Sequence, residues 1–434
     1  MKKSFLLIIL LSALVSRISA QQDTTAQKAA EEAKAKVEEL KDALNGLNES
    51  YLETKATVDA LKKIKISGYI QAQYQSADMD GISSFAGGNF GAGIHNRIMV
   101  RRGRLKVNYD NDLTQYVLQL DATEKGLGLK DAYVSFKEPW LKTFGVTAGV
   151  FDRPFGFEIS YSSSRRESPE RSRLFQSLFP GERDLGMKLE VFPTSGFLSN
   201  FNFKGGFFAG NGVNAETDNN KDFIGRLGFS FPFTEENLAI DGGISIYSGS
   251  VVLPAGKSLI TVNSPTSATS QINVADPGRS YLGLDAQVYY ELPLLGRFTL
   301  RGEYISCKQP GTATSNASFT SLPTGDLYLR NFAGYYLMWV QNLGDKDQFV
   351  LKYDSYDPNT DVAGDQIGQF AAAKLGAGDI KYSTLGLGLV HYWDDNVKFI
   401  FYYDSVSNET SANLAAFKED LSDNVFTFRI QYSF

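Results

Sequence analysis

The segment FTFRIQYSF, residues 426–434, alternates strictly between two kinds of side chain. Phe426, Phe428, Ile430, Tyr432 and Phe434 are apolar or aromatic, and the four residues between them are polar. Because successive side chains of a strand point to opposite faces, the segment predicts a strand with one apolar face and one polar face. Such a strand suits the wall of a transmembrane β-barrel, whose apolar face contacts lipid and whose polar face lines the interior.

The same period of two recurs from residue 64 to the end of the chain. Sixteen segments show it, at residues 65–75, 97–110, 114–124, 129–137, 144–152, 184–193, 200–210, 222–232, 239–250, 279–291, 297–307, 327–341, 348–357, 380–393, 397–407 and 424–434. Short turns alternate with long connections rich in Gly, Ser, Thr, Asn and Asp, as in barrels with short periplasmic turns and long external loops. The sequence therefore predicts an all-β transmembrane barrel of about 16 antiparallel strands over residues 64–434. The first strand begins, and the last strand ends, on the periplasmic side.

The first twenty residues have a different pattern. Lys2 and Lys3 precede an apolar run of 11 residues, Phe5–Val15, and small residues lead up to Ala20. This order is typical of a secretory signal peptide, and the apolar run is too short to span a bilayer as a helix. We therefore expect residues 1–20 to be a signal peptide, with a membrane anchor as the alternative.

Composition supports export to a membrane. Aromatic residues make up 13% of the 434-residue chain, and a single cysteine excludes an internal disulfide framework. The formal net charge of −6 argues against a nucleic-acid partner. These features predict a barrel in the outer membrane of a Gram-negative cell, in contact with its lipid. The terminal aromatic strand resembles the signal that the barrel-assembly machinery reads, so this machinery is an expected partner.

Residues 21–63 have a third pattern, with no proline, one glycine and many Ala, Glu and Lys residues. Their apolar side chains follow the 3-4 spacing of the a and d positions of a coiled coil. These positions are Val37, Leu40, Leu44, Leu47, Tyr51, Thr54, Val58 and Leu61. Because the seam is narrow for globular packing, we predict an α-helical, periplasmic coiled coil over residues 21–63. A single amphipathic helix lying on the barrel is the alternative.

The chain offers little for catalysis or metal binding. Its two histidines, His95 and His391, belong to no nucleophile–base pattern, and no paired-cysteine spacing or phosphate-cradling glycine loop occurs. The segment DPNTDVAGD, residues 357–365, spaces oxygen ligands as in a calcium loop but lacks the glycine and the final glutamate of that motif at the required spacing. We therefore expect no enzyme, no cofactor and no metal site, and we interpret residues 357–365 as a solvated loop.

Four segments carry a family resemblance. RRGRLKVNYDNDL (101–113), LKDAYVSF (129–136), GVFDRPFGFE (149–158) and ERDLGMKLE (182–190) occur in this order. They resemble the phosphate-selective porin O and P family, and the resemblance extends over residues 65–434. It implies a homotrimer of sixteen-stranded barrels with an anion passage lined by Arg and Lys, in which Arg102, Arg104 and Arg153 match the family motifs.

Residues 153–183 form the third external loop. We call it the constriction loop, because the third loop commonly folds into the lumen in sixteen-stranded porins. The loop contains six arginines and four glutamates. The arginines are Arg153, Arg165, Arg166, Arg171, Arg173 and Arg183, and the glutamates are Glu158, Glu167, Glu170 and Glu182. An arginine-rich constriction favours anions, because guanidinium groups pair with carboxylate or phosphate oxygens. The alternative is a structural network in which the arginines pair with the glutamates.

Basic residues also lie on the polar face of two predicted strands. Arg102, Arg104 and Lys106 alternate with less polar residues on the second strand, and Arg301 lies on the polar face of RFTLRGEY, residues 297–304. The predicted anion-contacting residues are Arg102, Arg104, Lys106, Arg153, Arg165, Arg166, Arg171, Arg173 and Arg301.

These observations predict a porin through which small, anionic, phosphate-type solutes diffuse. A function of a different class is the alternative. In it the barrel is plugged and structural, and the coiled coil contacts the cell wall or a periplasmic partner.

Overall fold

The computed structural model describes the backbone of residues 2–434 and the side chains of Leu14 and residues 24–434. The side chains of the predicted signal peptide, residues 1–20, therefore lie outside the described part of the chain except for Leu14. The chain divides into two units, Met1–Ile64 and Lys65–Phe434.

The first unit contains one long helix, α1, at Lys2–Lys62. Its described part is rich in Ala, Glu and Lys, which are strong helix formers. The predicted seam residues Val37, Leu40, Leu44 and Leu47 are each more than 60% exposed in this single chain. Among the described residues, no helix is long and apolar enough to cross a membrane. The coiled coil stays a prediction, because a single chain cannot show whether these residues contact the same residues of a second helix.

The second unit is a closed antiparallel barrel of sixteen strands, so the predicted strand number and direction are confirmed. The barrel strands are β1 (Ile64–Ala77), β2 (Asn96–Asn111), β3 (Thr114–Thr123), β4 (Gly126–Lys137), β5 (Phe144–Asp152), β6 (Arg183–Val191), β7 (Phe201–Phe208), β8 (Asp222–Phe233), β9 (Leu238–Ser250), β12 (Gly278–Leu292), β13 (Gly296–Gly311), β14 (Leu327–Leu343), β15 (Asp347–Asp357), β16 (Tyr382–Tyr392), β17 (Val397–Asn408) and β18 (Val425–Ser433). A short helix, α2 (Arg173–Leu178), lies between β5 and β6.

Two further strands, β10 (Ser258–Thr261) and β11 (Thr269–Ile272), were not predicted. They form a hairpin within the long connection between β9 and β12. β10 also pairs in parallel with the start of β14, at Leu259–Thr261 against Leu327–Leu329. The hairpin therefore extends the sheet beyond one end of the barrel.

The segment FTFRIQYSF closes the barrel, as its alternation predicts. β18 pairs antiparallel with β1 from Tyr69 opposite Ser433 to Ala77 opposite Val425. One step further, Phe434 donates its N–H to the carbonyl oxygen of Gly68 at 3.0 Å and accepts the N–H of Gly68 at 3.1 Å. The apolar residues Phe426, Ile430 and Tyr432 face outward and are exposed, as expected for a surface in contact with lipid.

The polar faces of the strands point into the barrel and are buried there. Gln71, Gln73 and Gln75 of β1 are nearly inaccessible, whereas Ile70 and Tyr74 on the opposite face are exposed. The glutamines form hydrogen bonds inside the barrel, for example from Gln71 Nε2 to Gln431 Oε1 at 2.7 Å. Buried polar groups need such partners, so the barrel interior is tied together by side-chain hydrogen bonds.

The connection between β5 and β6 enters the barrel, so the constriction loop occupies residues 153–182 in the structure. Its apolar side chains belong to a cluster of buried residues that includes Phe155, Phe175 and Phe179 of the loop and Tyr281 and Tyr336 of the wall. Phe155 and Phe179 lie 5.0 Å apart between ring centroids, and Phe179 meets Tyr281 edge-on at 5.6 Å. This packing fills the lumen beside β9, β12, β13 and β14.

Candidate functional site

Glu170 is the centre of the largest ion-pair cluster of the constriction loop. Its carboxylate accepts hydrogen bonds from Arg101 at 2.9 and 3.0 Å, from Arg102 at 2.7 and 3.3 Å, and from Arg429 at 2.8 Å. Arg101 and Arg102 belong to β2 and Arg429 belongs to β18, so one carboxylate joins the loop to two strands.

The other three glutamates of the loop are also paired. Glu158 accepts the ammonium of Lys352 at 2.7 Å and the hydroxyl of Ser172 at 2.6 Å. Glu167 accepts the guanidinium of Arg301 at 2.8 Å and the hydroxyl of Tyr161 at 3.1 Å. These carboxylates form a network of ion pairs, but the basic partners of Glu158, Glu167 and Glu170 come from the barrel wall and not from the arginines of the loop.

Glu182 has basic partners in the constriction loop and in the barrel wall. Arg171 of the loop and Lys130 of β4 both donate to its carboxylate, and Arg183 approaches to 3.4 Å. Arg183 also donates to Asp131 of β4 at 2.8 Å. Glu182 therefore connects the end of the constriction loop to the wall formed by β4 and β6.

The basic neighbours keep the carboxylates of Glu170 and Glu182 ionised. Burial by itself raises the pKa of the Glu170 carboxyl, but the surrounding guanidinium groups hold this pKa well below its usual range. The same balance between burial and basic neighbours holds the pKa of Glu182 well below its usual range. Both side chains are therefore anions that fix the loop by charge-assisted hydrogen bonds.

Two cavities lie on the side of the lumen that the aromatic cluster leaves open. The turn-side cavity has a volume of about 500 Å³ and reaches Ser67 and Phe434 at the end of the barrel where the short turns are. The loop-side cavity has a volume of about 300 Å³ and reaches Arg101 and Gly181 towards the long loops. Arg104 and Arg171 line both cavities, so the two meet where the wall strand β2 faces the loop.

The lining of the two cavities is more basic than acidic. Eight basic and five acidic side chains line them together, a formal excess of three positive charges. The basic residues are Arg101, Arg102, Arg104, Lys106, Lys130, Arg165, Arg171 and Arg183, and the acidic ones are Asp121, Asp131, Asp152, Glu170 and Glu182. Arg104 donates a hydrogen bond from Nη1 to Ser163 Oγ at 3.0 Å, and its Nε atom lies 3.4 Å from Oδ2 of Asp121.

Five predicted residues therefore lie at the cavities: Arg102, Arg104, Lys106, Arg165 and Arg171. The other four have different environments. Arg153 is buried against Asp184 at 2.9 Å, and Arg301 is buried against Glu167. Arg173 lies between two aromatic rings, with its guanidinium carbon 4.5 Å from the centre of Phe85 and 3.7 Å from that of Tyr382. Arg166 is buried within the constriction loop.

The sequence prediction missed three basic residues that line the cavities, namely Arg101, Lys130 and Arg183. Arg183 is one of the six arginines of the loop but is not among the predicted anion contacts. Lys130 lies at a β-bulge of β4, where Gln119 pairs with Asp131 and Leu120 with Leu129, so regular alternation could not place it. Arg101 adjoins Arg102 on β2 and reaches Glu170 although alternation predicts that it faces away from the lumen.

Residues 357–365 form hydrogen bonds with neighbouring loops and with β14. Asn359 donates to Asp379 at 2.7 Å, Asp361 accepts from Asn331 at 2.8 Å, and Asp365 accepts the N–H of Ala412 at 2.8 Å. Among the residues described by the structure, no group of three or more His, Cys, Asp or Glu side chains could hold a metal ion.

Comparison with known proteins identifies the fold. The sequence matches no protein-family model and no curated protein. Solved structures do match it, among them OprB of Pseudomonas putida, with a TM-score of 0.57, 11% identity, and coverage of 87% of this chain and 96% of that chain. The anion-selective porin from Comamonas acidovorans matches with a TM-score of 0.52, 12% identity, and coverage of 86% and 99%.

OmpT of Vibrio cholerae, described as a trimer form, matches with a TM-score of 0.50, 11% identity, and coverage of 86% of this chain and 99% of that chain. At these identities the matches establish a shared fold, that of an outer-membrane porin barrel. The matches cover 96–99% of the solved chains, so the barrel shares their fold over almost its whole length.

Proposed function

We propose that this protein is an outer-membrane porin through which small anions, including inorganic phosphate, diffuse. The observation that carries the proposal is the pair of adjoining cavities that share Arg104 and Arg171. A solute in either cavity therefore has both arginines in its lining, and guanidinium groups bind carboxylate and phosphate oxygens well. One protein with this fold, from Comamonas acidovorans, is described as an anion-selective porin, which agrees with the proposal.

Charge at the passage matters more than the charge of the whole chain. The chain is acidic, with a net charge of −6, whereas the two cavities carry an excess of three positive charges. Fixed charges between low-dielectric walls focus the field at the narrowest point, where screening by salt is weakest. A tenfold preference for anions requires about 1.4 kcal/mol, which one or two guanidinium contacts supply.

The expected setting is the outer membrane, after removal of residues 1–20. Residues 64–434 form the barrel of each protomer in a homotrimer, and residues 21–63 form a coiled coil in the periplasm. The exposed seam of Val37, Leu40 and Leu44 supports self-association, because apolar side chains at a and d positions are buried only when helices pair. One neighbour with the same fold is described as a trimer form.

Reversal potentials in a potassium chloride gradient test the proposal. Wild-type channels in planar bilayers should prefer chloride, and R104Q combined with K106Q should shift the reversal potential towards cations. K257Q is the matched control, because Lys257 is an exposed lysine in the connection before β10. Cation selectivity of the wild type would refute the proposal. Absence of conductance from correctly inserted protein would favour the plugged, structural barrel.

A further inference from the structure

Arg166 lies within the constriction loop and is 2% exposed. Within the described part of the chain, its Nε, Nη1 and Nη2 atoms all lack a hydrogen-bond acceptor. A guanidinium group stays protonated in proteins and presents five N–H donors, so leaving it buried without an acceptor is costly. Arg166 is thus a buried charge that the neighbouring protein groups do not satisfy.

The carboxylates of the same loop are already engaged. Glu170 accepts from Arg101, Arg102 and Arg429, and Glu158 accepts from Lys352 and Ser172. The other two, Glu167 and Glu182, hold Arg301 and Arg171 respectively. All four carboxylates of the loop are thus paired with other groups, which leaves Arg166 as an additional positive charge.

The position of Arg166 is fixed by its backbone. Lys398 of β17 donates to the carbonyl oxygens of Ser164 at 2.8 Å and of Arg166 at 3.0 Å, and Gln431 of β18 donates to Ser164 at 3.0 Å. The N–H of Arg166 donates to the carbonyl oxygen of Ser162 at 3.1 Å. These bonds tie the main chain of Arg166 to the wall and hold its Cα atom inside the barrel.

We propose that Arg166 binds a small monovalent anion, chloride under ordinary conditions, at a structural site inside the constriction loop. The charge around Arg166 favours an anion over water. Arg102 and Arg171 are near its guanidinium, and the two nearby carboxylates, those of Glu170 and Glu158, are each paired with other basic groups. An anion supplies both the acceptor and the charge that the cluster lacks. The site is separate from the proposed passage, which the neighbouring residue Arg165 lines.

Crystals of the full chain grown in sodium bromide test the site directly. An anomalous bromide peak within hydrogen-bonding distance of the Arg166 guanidinium is the expected result. Bromide at this position should also be absent from crystals of R166Q and present in crystals of R165Q, which changes the adjacent, exposed arginine. A water molecule without anomalous signal at the wild-type guanidinium, at molar bromide, would overturn the proposal.

A stability measurement gives an independent result and separates this site from ion selectivity. Replacing sodium gluconate by sodium chloride at constant ionic strength should raise the unfolding temperature of the wild-type barrel, because ligand that binds only the folded state stabilises it. The same rise is expected for R165Q, and its loss is expected for R166Q. If R166Q fails to fold, the unfolding temperatures of the wild type in gluconate and in chloride still test the proposal. Equal temperatures in the two salts would contradict an internal chloride site.

Discussion

The Nη2 atom of Arg102 lies 2.7 Å from the Oε2 atom of Glu170, and both side chains are buried inside the barrel. The pair joins the second wall strand to the constriction loop. Arg101 and Arg429 donate to the same carboxylate, so three guanidinium groups depend on one glutamate. The loop position, and with it the two cavities, rests on this cluster.

Replacing Glu170 by Gln should loosen the constriction loop. The change leaves buried guanidinium groups without their counter-charge, and breaking a buried ion pair costs about 3–5 kcal/mol. We expect a lower temperature for the loss of the heat-modifiable form, and noisier single-channel currents. E216Q is the control, because Glu216 pairs only at the surface with Lys221, where a pair contributes less than about 1 kcal/mol. Equal thermal stability of E170Q and E216Q would contradict the role of the cluster.

The ion pairs of the constriction loop should continue to stabilise the fold until the pH falls to the pKa of an ordinary glutamate. The pKa of Glu170 and that of Glu182 are both lowered in the folded chain, relative to about 4.3 for a free glutamate. Their stabilisation is therefore fully present above about pH 5, and it is lost as the pH falls through the lowered folded-state values.

We accordingly expect the ion pairs of Glu170 and Glu182 to stay intact from about pH 8 to about pH 5 and to be lost only at lower pH. Thermal unfolding followed against pH is the measurement, and E170Q should show a smaller loss of stability in the acid range than the wild type. An equal acid loss in the variant would show that other groups cause it.

Gly68 allows the end of the chain to close the barrel. A Cβ atom at this position would lie 2.4 Å from the carbonyl oxygen of Arg104 and 2.7 Å from Cζ of Phe434. G68A should therefore strain the junction of β18, β1 and β2, at the cost of about 1–3 kcal/mol that overpacking typically brings. The unfolding temperature of refolded barrels measures the effect. G325A is the control, since a Cβ at Gly325 meets no atom within 4 Å.

The coiled coil makes a prediction about cysteine crosslinks. With the native Cys307 replaced by Ser, L44C places a thiol at an a position of the seam, and oxidation in membranes should give crosslinked dimers within the trimer. D42C is the matched control, because residue 42 falls on the opposite face of the helix and its thiols would be held apart. Equal crosslinking of the two variants would refute the seam.

The sequence by itself determined the barrel. Alternation of side chains along residues 426–434 is a local property of the chain, and it fixes which face of each strand meets lipid. The strand number and the closing partner follow from repeating this pattern, and β1 paired with β18 confirms it. Alternation could not reveal the β10–β11 hairpin, because those two strands are only four residues each.

Only the tertiary structure decided which charges face the passage. The sequence predicted equal roles for Arg104, Arg166 and Arg301, yet Arg104 borders both cavities, Arg301 pairs with Glu167, and Arg166 is buried. Arg301 and Glu167 are 134 residues apart in the chain, and their pairing depends on how the loop folds back onto β13. A local pattern specifies the face of a strand, whereas the partner of a charge depends on distances between segments that only the closed barrel brings together.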